Sequence, residues 1–196
     1  MRRLSETDRL EEFSDGVMAV IITIMAFNVK PPGGPSLGAL HSRLPQLLVY
    51  LLSFAMVGIY WNNHHHLLRA TERMDGAVMW ANLHLLFWLS LLPIVTGWAG
   101  RYPLHALPAG SYGLVGFGAG VAYTILTIFI IRANGSESAV AKGIGSDLKG
   151  KLSLMLYAAG VGLAFVAPVA SYAVYASVAL MWFVPDRRLA REATIS

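Results

Sequence analysis

The sequence predicts an all-α membrane protein of six transmembrane helices, forming one domain over residues 1–196. Three observations carry that prediction. Hydrophobic residues make up 56% of the chain and charged residues 13%, about half the charge of an ordinary soluble domain. Six stretches, 13–29, 44–64, 78–98, 112–131, 152–167 and 169–184, match or approach the roughly 20 apolar residues that a helix needs to cross the hydrocarbon core. The basic residues cluster on alternate connections. This composition excludes a disordered chain, a coiled coil and an ordinary cytosolic enzyme. The absence of cysteine excludes disulfides, thiolate chemistry and Cys-ligated zinc or iron–sulfur centres.

The first stretch follows a polar, acidic segment with Glu6, Asp8, Glu11 and Glu12, charges that favour a helix N-terminus. Ser5 and Asp8 have the spacing of a capping box. No signal peptide is expected, because no short apolar run with a small-residue cleavage site is present. The second stretch ends in Trp61-Asn62-Asn63-His64-His65-His66, with Arg69 just beyond, and the third begins with Trp80, Asn82 and His84. In the fourth, Leu114-Val115-Gly116-Phe117-Gly118 looks like the T-V-G-Y-G filter of classical potassium channels. Leucine replaces the threonine, no apolar pore helix precedes it, and it runs straight into an apolar helix. Gly116-x-x-x-Gly120 therefore reads as a close-packing helix face. The fifth and sixth stretches are short and divided by Pro168, which marks either a tight turn or a kink within one long span. The longest connection, 132–151, holds Asn134-Gly135-Ser136 and Gly143-Ile144-Gly145-Ser146 and reads as a flexible loop. No internal repeat relates the spans, so a symmetric pathway requires several copies of the chain.

Charge settles the orientation. With the N-terminus inside, Arg2, Arg3, Arg9, Arg69, Arg73, Arg132, Lys142, Lys149, Lys151, Arg187, Arg188 and Arg191 fall on inner segments, and only Lys30, Arg43 and Arg101 fall outside. That asymmetry places both termini in the cytoplasm of a cell's inner (plasma) membrane. It also accounts for the net charge of +4 without a nucleic-acid partner. A kink at Pro168 would put the C-terminal arginines outside, which the same rule disfavours.

The chemistry concentrates on the first span. Asp15 is the sole acid within any span, and a carboxylate there needs a partner or a route to the interface. At about 100° per residue, Thr23, Ile24 and Phe27 fall about 60°, 40° and 20° from Val20, whereas Asp15 falls about 140° away. The four form one stripe, readable as lipid-facing, packing or pore-lining surface, and Asp15 points the other way. Asp15 enters from the inside and the second span returns there, so the two polar clusters share a depth. Ser14, Asp15, Trp61, His64, His65, Asn82 and His84 are the candidates for a buried polar network that aligns the helices. A metal held by His64, His84 and Asp15 is the competing idea, but no metal-binding spacing is present and none is expected. A proton relay through Asp15 and the histidines is the functional alternative. No nucleophile–base pair supports an enzyme.

Arg9-x-x-x-Phe13-Ser14-Asp15 resembles the R-x-x-x-F-S-D signature of the transmembrane protein 175 family, potassium-permeable channels of prokaryotes and animal endolysosomes. Gly16-Val17, Thr23, Trp61-x-x-His64-His65 and Arg69 agree with prokaryotic members. The resemblance implies a homotetramer of six-helix units in the bilayer, with the four first helices lining a central pore and no cofactor beyond permeant potassium. It implies a hydrophobic constriction at Val20, further apolar layers at Ile24 and Phe27, a selectivity role for Thr23, and a place for Arg9 with Ser14 and Asp15 in the network holding the first helix against the second and third. Two features depart from the pattern. Val20 is smaller than the usual isoleucine or leucine, and Lys30 stands near the outer mouth.

Overall fold

The computed structural model describes residues 6–145 and 147–183. The Ser5 half of the capping box and the terminal arginines (Arg2, Arg3, Arg187, Arg188 and Arg191) lie outside the described residues. Within them the chain forms eight helices and no strand: α1 (Glu6–Asn28), α2 (Leu37–Arg69), α3 (Gly76–Ser90), α4 (Leu92–Arg101), α5 (Ala106–Asn134), α6 (Ala139–Ile144), α7 (Leu148–Ala164) and α8 (Pro168–Phe183). Among the described residues three segments are long and apolar enough to cross a membrane: Leu37–Arg69, Gly76–Arg101 and Ala106–Asn134. α8 is apolar but shorter.

Local chemistry sets the helix starts. After the Pro31-Pro32-Gly33-Gly34-Pro35 run, Ser36 opens α2 by accepting from Ala39 N at 3.2 Å, as an N-cap does. Asp75 opens α3 in the same way, accepting from Val78 N at 2.9 Å. The third apolar stretch is broken, which hydropathy did not announce. Pro93 lacks an N–H, α3 ends at Ser90, and Leu91 links it to α4, with Ile94 N donating back to Leu91 O at 3.1 Å. The 132–151 connection is more ordered than its composition implies. Ser138 caps α6 through Ala141 N at 3.3 Å, between Gly135 and Gly145, both at positive φ.

Pro168 marks a turn. α7 ends at Ala164, Pro168 opens α8 where its missing N–H is harmless, and the two helices pack side by side with Tyr157 stacked on Tyr175 at 5.7 Å. α5 is the central element, and its filter-like sequence is helical throughout. A Cβ at Gly116 would collide with the Tyr157 ring and one at Gly118 with the Trp88 indole. The glycines thus let α7 and α3 approach closely, as small residues do between membrane helices. Leu85, Leu89, Leu92, Tyr112, Leu126 and Ile130 fill the resulting core with no exposed surface.

Candidate functional site

α1 is two-faced. Leu10, Ser14, Met18, Ile21 and Met25 recur every three or four residues and are buried, packed toward α2, α3 and α4. On the opposite side Val20 is 57%, Ile24 46% and Phe27 80% exposed, and Thr23 is exposed with them. A branched or aromatic apolar row left open by its own chain is a surface for something outside the chain. Thr23 Oγ1 donates to Ala19 O at 2.8 Å. That bond uses the hydroxyl proton and leaves the oxygen lone pairs as the group's outward polar feature.

Polar bonds hold this helix at both ends. Near its start, Asn82 Nδ2 donates to Ser14 Oγ at 2.9 Å, and Asn82 Oδ1 lies 2.7 Å from His64 Nε2. Ser14 in turn donates to Leu10 O at 2.8 Å. Ser14, His64 and Asn82 have no exposed surface, so α1, α2 and α3 meet through a dry three-member chain in which each member offsets the desolvation of the next. Beside it, His65 Nδ1 lies 2.5 Å and Arg69 Nε 4.0 Å from Glu11 Oε1. At the far end, Asn28 Nδ2 donates to Pro93 O at 3.1 Å and Gln46 Nε2 to Asn28 O at 2.9 Å.

The structure thus joins Ser14, His64 and Asn82, and brings His65 to α1 through Glu11. Asp15 is partly buried, and its Oδ1 is shielded from solvent and accepts no hydrogen bond among the described residues. The other candidates stand apart. Trp61 is stacked on His65 at a ring distance of 5.9 Å. His84 is exposed and accepts from Trp88 Nε1 on its own helix at 3.1 Å. Arg9 is exposed beside Phe13 and Met79. Glu11 was missed, although a helical wheel places it between Ser14 and Asp15 on the protomer-facing side. Lys30 shares a cavity of about 470 Å³ with Gln46, Trp98, Arg101 and Tyr102. No group of three or more His, Asp or Glu that could hold a metal occurs among the described residues.

Comparison with known proteins decides the family. The model of the family described as endosomal/lysosomal potassium channel TMEM175 matches residues 9–93. A potassium channel of Chryseobacterium sp. (strain P1-3) is 46% identical over 181 residues, covering 92% of this chain and 94% of that one. The chain belongs to the TMEM175 family. It is accordingly a multi-pass membrane protein of a family of ion channels rather than enzymes. The fold agrees: the crystal structure of a homologue of the lysosomal potassium-selective channel TMEM175 from Chamaesiphon minutus superposes with a TM-score of 0.81 at 26% identity, covering 93% of this chain and 99% of that one. The human endosomal/lysosomal proton channel TMEM175 is 32% identical over 99 residues, 44% of this chain and 20% of that protein. The TMEM175 match covers most of α1, all of α2 and α3, which the Ser14–Asn82–His64 chain joins, and the start of α4, whose Pro93 accepts from Asn28.

Proposed function

We propose that this chain is a passive, weakly selective potassium-permeable channel, built from four copies that surround a central pore with their α1 helices. Each copy, residues 1–196, acts as one unit crossing the membrane six times, through α1, α2, the α3–α4 segment, α5, α7 and α8, with both termini in the cytoplasm. At 1.5 Å per residue, the 17 residues of α7 and the 16 of α8 reach about 25 Å, most of the roughly 30 Å core.

The observation that carries the reading is the outward row Val20, Thr23, Ile24 and Phe27 on a helix fixed at both ends. Four such rows facing one axis make successive rings. Val20 forms the narrowest, Ile24 and Phe27 add apolar layers, and wetting of these rings controls passage. The Thr23 oxygens, their protons held by Ala19, offer a ring of acceptors to a cation shedding part of its hydration. Potassium permeation is the activity named for the full-length bacterial relative. The test is potassium flux into liposomes. Val20→Trp fills the ring and should reduce flux to the background of empty liposomes; undiminished flux would remove α1 from the pore.

A second reading, a proton pathway or proton-coupled transporter through Asp15 and the histidines, is favoured by one observation. Asp15 carries a solvent-shielded oxygen that has no hydrogen bond among the described residues, on the same flank as Glu11 and His65. It predicts that Asp15→Asn abolishes pH-driven proton flux while potassium flux and assembly persist. Loss of assembly in that variant would assign Asp15 a purely structural role.

A further inference from the structure

Lys30, Arg43 and Arg101, the three cations that the charge rule leaves on the outer side, have no carboxylate to meet. No Asp or Glu stands between Asp15 and Glu72 or between Asp75 and Glu137, so the far half of α1 and the whole of α2, α3, α4 and α5 carry none. Among the described residues the three side chains form no ion pair and no hydrogen bond. Lys30 and Arg101 line one cavity of about 470 Å³ with Asn28, Gln46, Trp98 and Tyr102. Arg43 stands three residues before Gln46, on the same face of α2, and its Nε is shielded from solvent without a hydrogen bond. Basic residues are disfavoured on outer segments, so cations brought together there without an acid call for a partner from outside the chain.

The walls of this cavity are held in place. Asn28 Nδ2 donates to Pro93 O and Gln46 Nε2 to Asn28 O, which ties the ends of α1, α2 and α4 together. A Cβ at Gly100 would lie 3.2 Å from Gln46 Cα, so the glycine lets α4 lie close against α2. Each of the two amide nitrogens keeps a second N–H. The C-terminal ends of α1 and α4 contribute about half a negative charge each. Lys30 and Arg101 each bring a full positive charge, so the cavity stays net positive. Trp98 and Tyr102 are partly exposed beside them, as the aromatic residues of a membrane interface are.

We propose that this cavity binds a phosphate group, with Arg101 and Lys30 as its charged ligands, the Asn28 and Gln46 amides as further donors, and Arg43 adding to the positive potential. Arginine presents a planar fork that matches phosphate oxygens, and lysine a mobile point charge. The volume exceeds what a bare ion needs and falls within the range of about 300–1,000 Å³ typical of small-molecule sites, so a phosphate fits with its attached groups. Two sources carry this chemistry: the headgroup of a phospholipid at the level of Trp98 and Tyr102, and a soluble phosphate ester. The site lies within one chain and does not depend on the pore assignment.

The experiment is calorimetric titration of glycerol 3-phosphate into the purified full-length protein in dodecyl maltoside micelles, which contain no phosphate, at constant ionic strength. Saturable binding of one molecule per chain is expected. Lys30 and Arg101 are exposed, so Lys30→Gln and Arg101→Gln leave the fold intact; each should weaken binding about tenfold. Lys142→Gln removes the same charge beside Glu137, away from the cavity, and should leave binding unchanged. The proposal is overturned by absence of saturable binding, by unchanged affinity in Lys30→Gln or Arg101→Gln, by an equal loss in Lys142→Gln, which marks a diffuse surface potential, or by equal binding of glycerol. Mixed micelles then identify the source. Weaker apparent affinity with added phosphatidylcholine, but not with digalactosyldiacylglycerol, a lipid without phosphate, identifies the resident group as the lipid headgroup. Unchanged affinity with both identifies a soluble phosphate ester.

Discussion

Thr23 carries the proposed selectivity on a single side chain. Its hydroxyl proton is bonded to Ala19 O, so in the proposed pore a passing cation would meet oxygen rather than hydrogen. Thr23→Val keeps the shape and deletes that oxygen. Reversal potentials in planar bilayers should then show the potassium-to-sodium permeability ratio moving toward that of a bare apolar pore, with conduction retained. Asn82 works on stability instead. Asn82→Leu strips Ser14 and His64 of their shared partner in a dry setting, which should cost about 1–3 kcal/mol. The check is the thermal unfolding midpoint in detergent. The outward row on α1 was legible in the sequence because helical periodicity is pure geometry. The composition of the polar network was not. Trp61 and His84 share a depth with the network, but each found a neighbour on its own helix. Which residue satisfies which cannot be read from depth alone. Glu11 escaped notice because an acid in a charged N-terminal turn resembles any solvated one.

At the scale of elements, α5 depends on what it lacks. Its glycines allow α3 and α7 to seat aromatic rings against bare backbone. Gly118→Val should force Trp88 away and destabilise the protein by about 1–3 kcal/mol through overpacking. Gly162→Ala, where an added methyl meets nothing within 4 Å, should instead be neutral or raise the unfolding midpoint. Comparing the two variants by scanning calorimetry separates packing from helix propensity. Most element positions followed from apolar length, and the Pro168 turn agreed with the charge rule. The break before Pro93 did not, because proline is tolerated inside membrane helices and the residues on both sides are uniformly apolar. α6 was missed because six residues are too few to display a period.

The whole molecule raises two questions that a single chain leaves to experiment: how many copies assemble, and which way each is oriented. Native mass spectrometry from detergent should give four chains; a dimer or monomer would remove the central axis on which the Val20 ring depends. Orientation is unusually easy to test, because the chain has no cysteine. A membrane-impermeant maleimide applied to intact spheroplasts should label Ser36→Cys, at the proposed outer end of α2. It should spare Ser136→Cys, between α5 and α6, until the cells are opened.

The fastening of α1 at both ends also bears on how the proposed pore would change state. A rod clamped near Ser14 and Asn28, its rear resting on the pliant thioethers of Met18 and Met25, would resist swinging outward more than a small twist between its two clamps. Torsion would trade one side chain for its neighbour at the lumen and leave the backbone radius nearly constant, so closure would be a change of lining rather than of calibre.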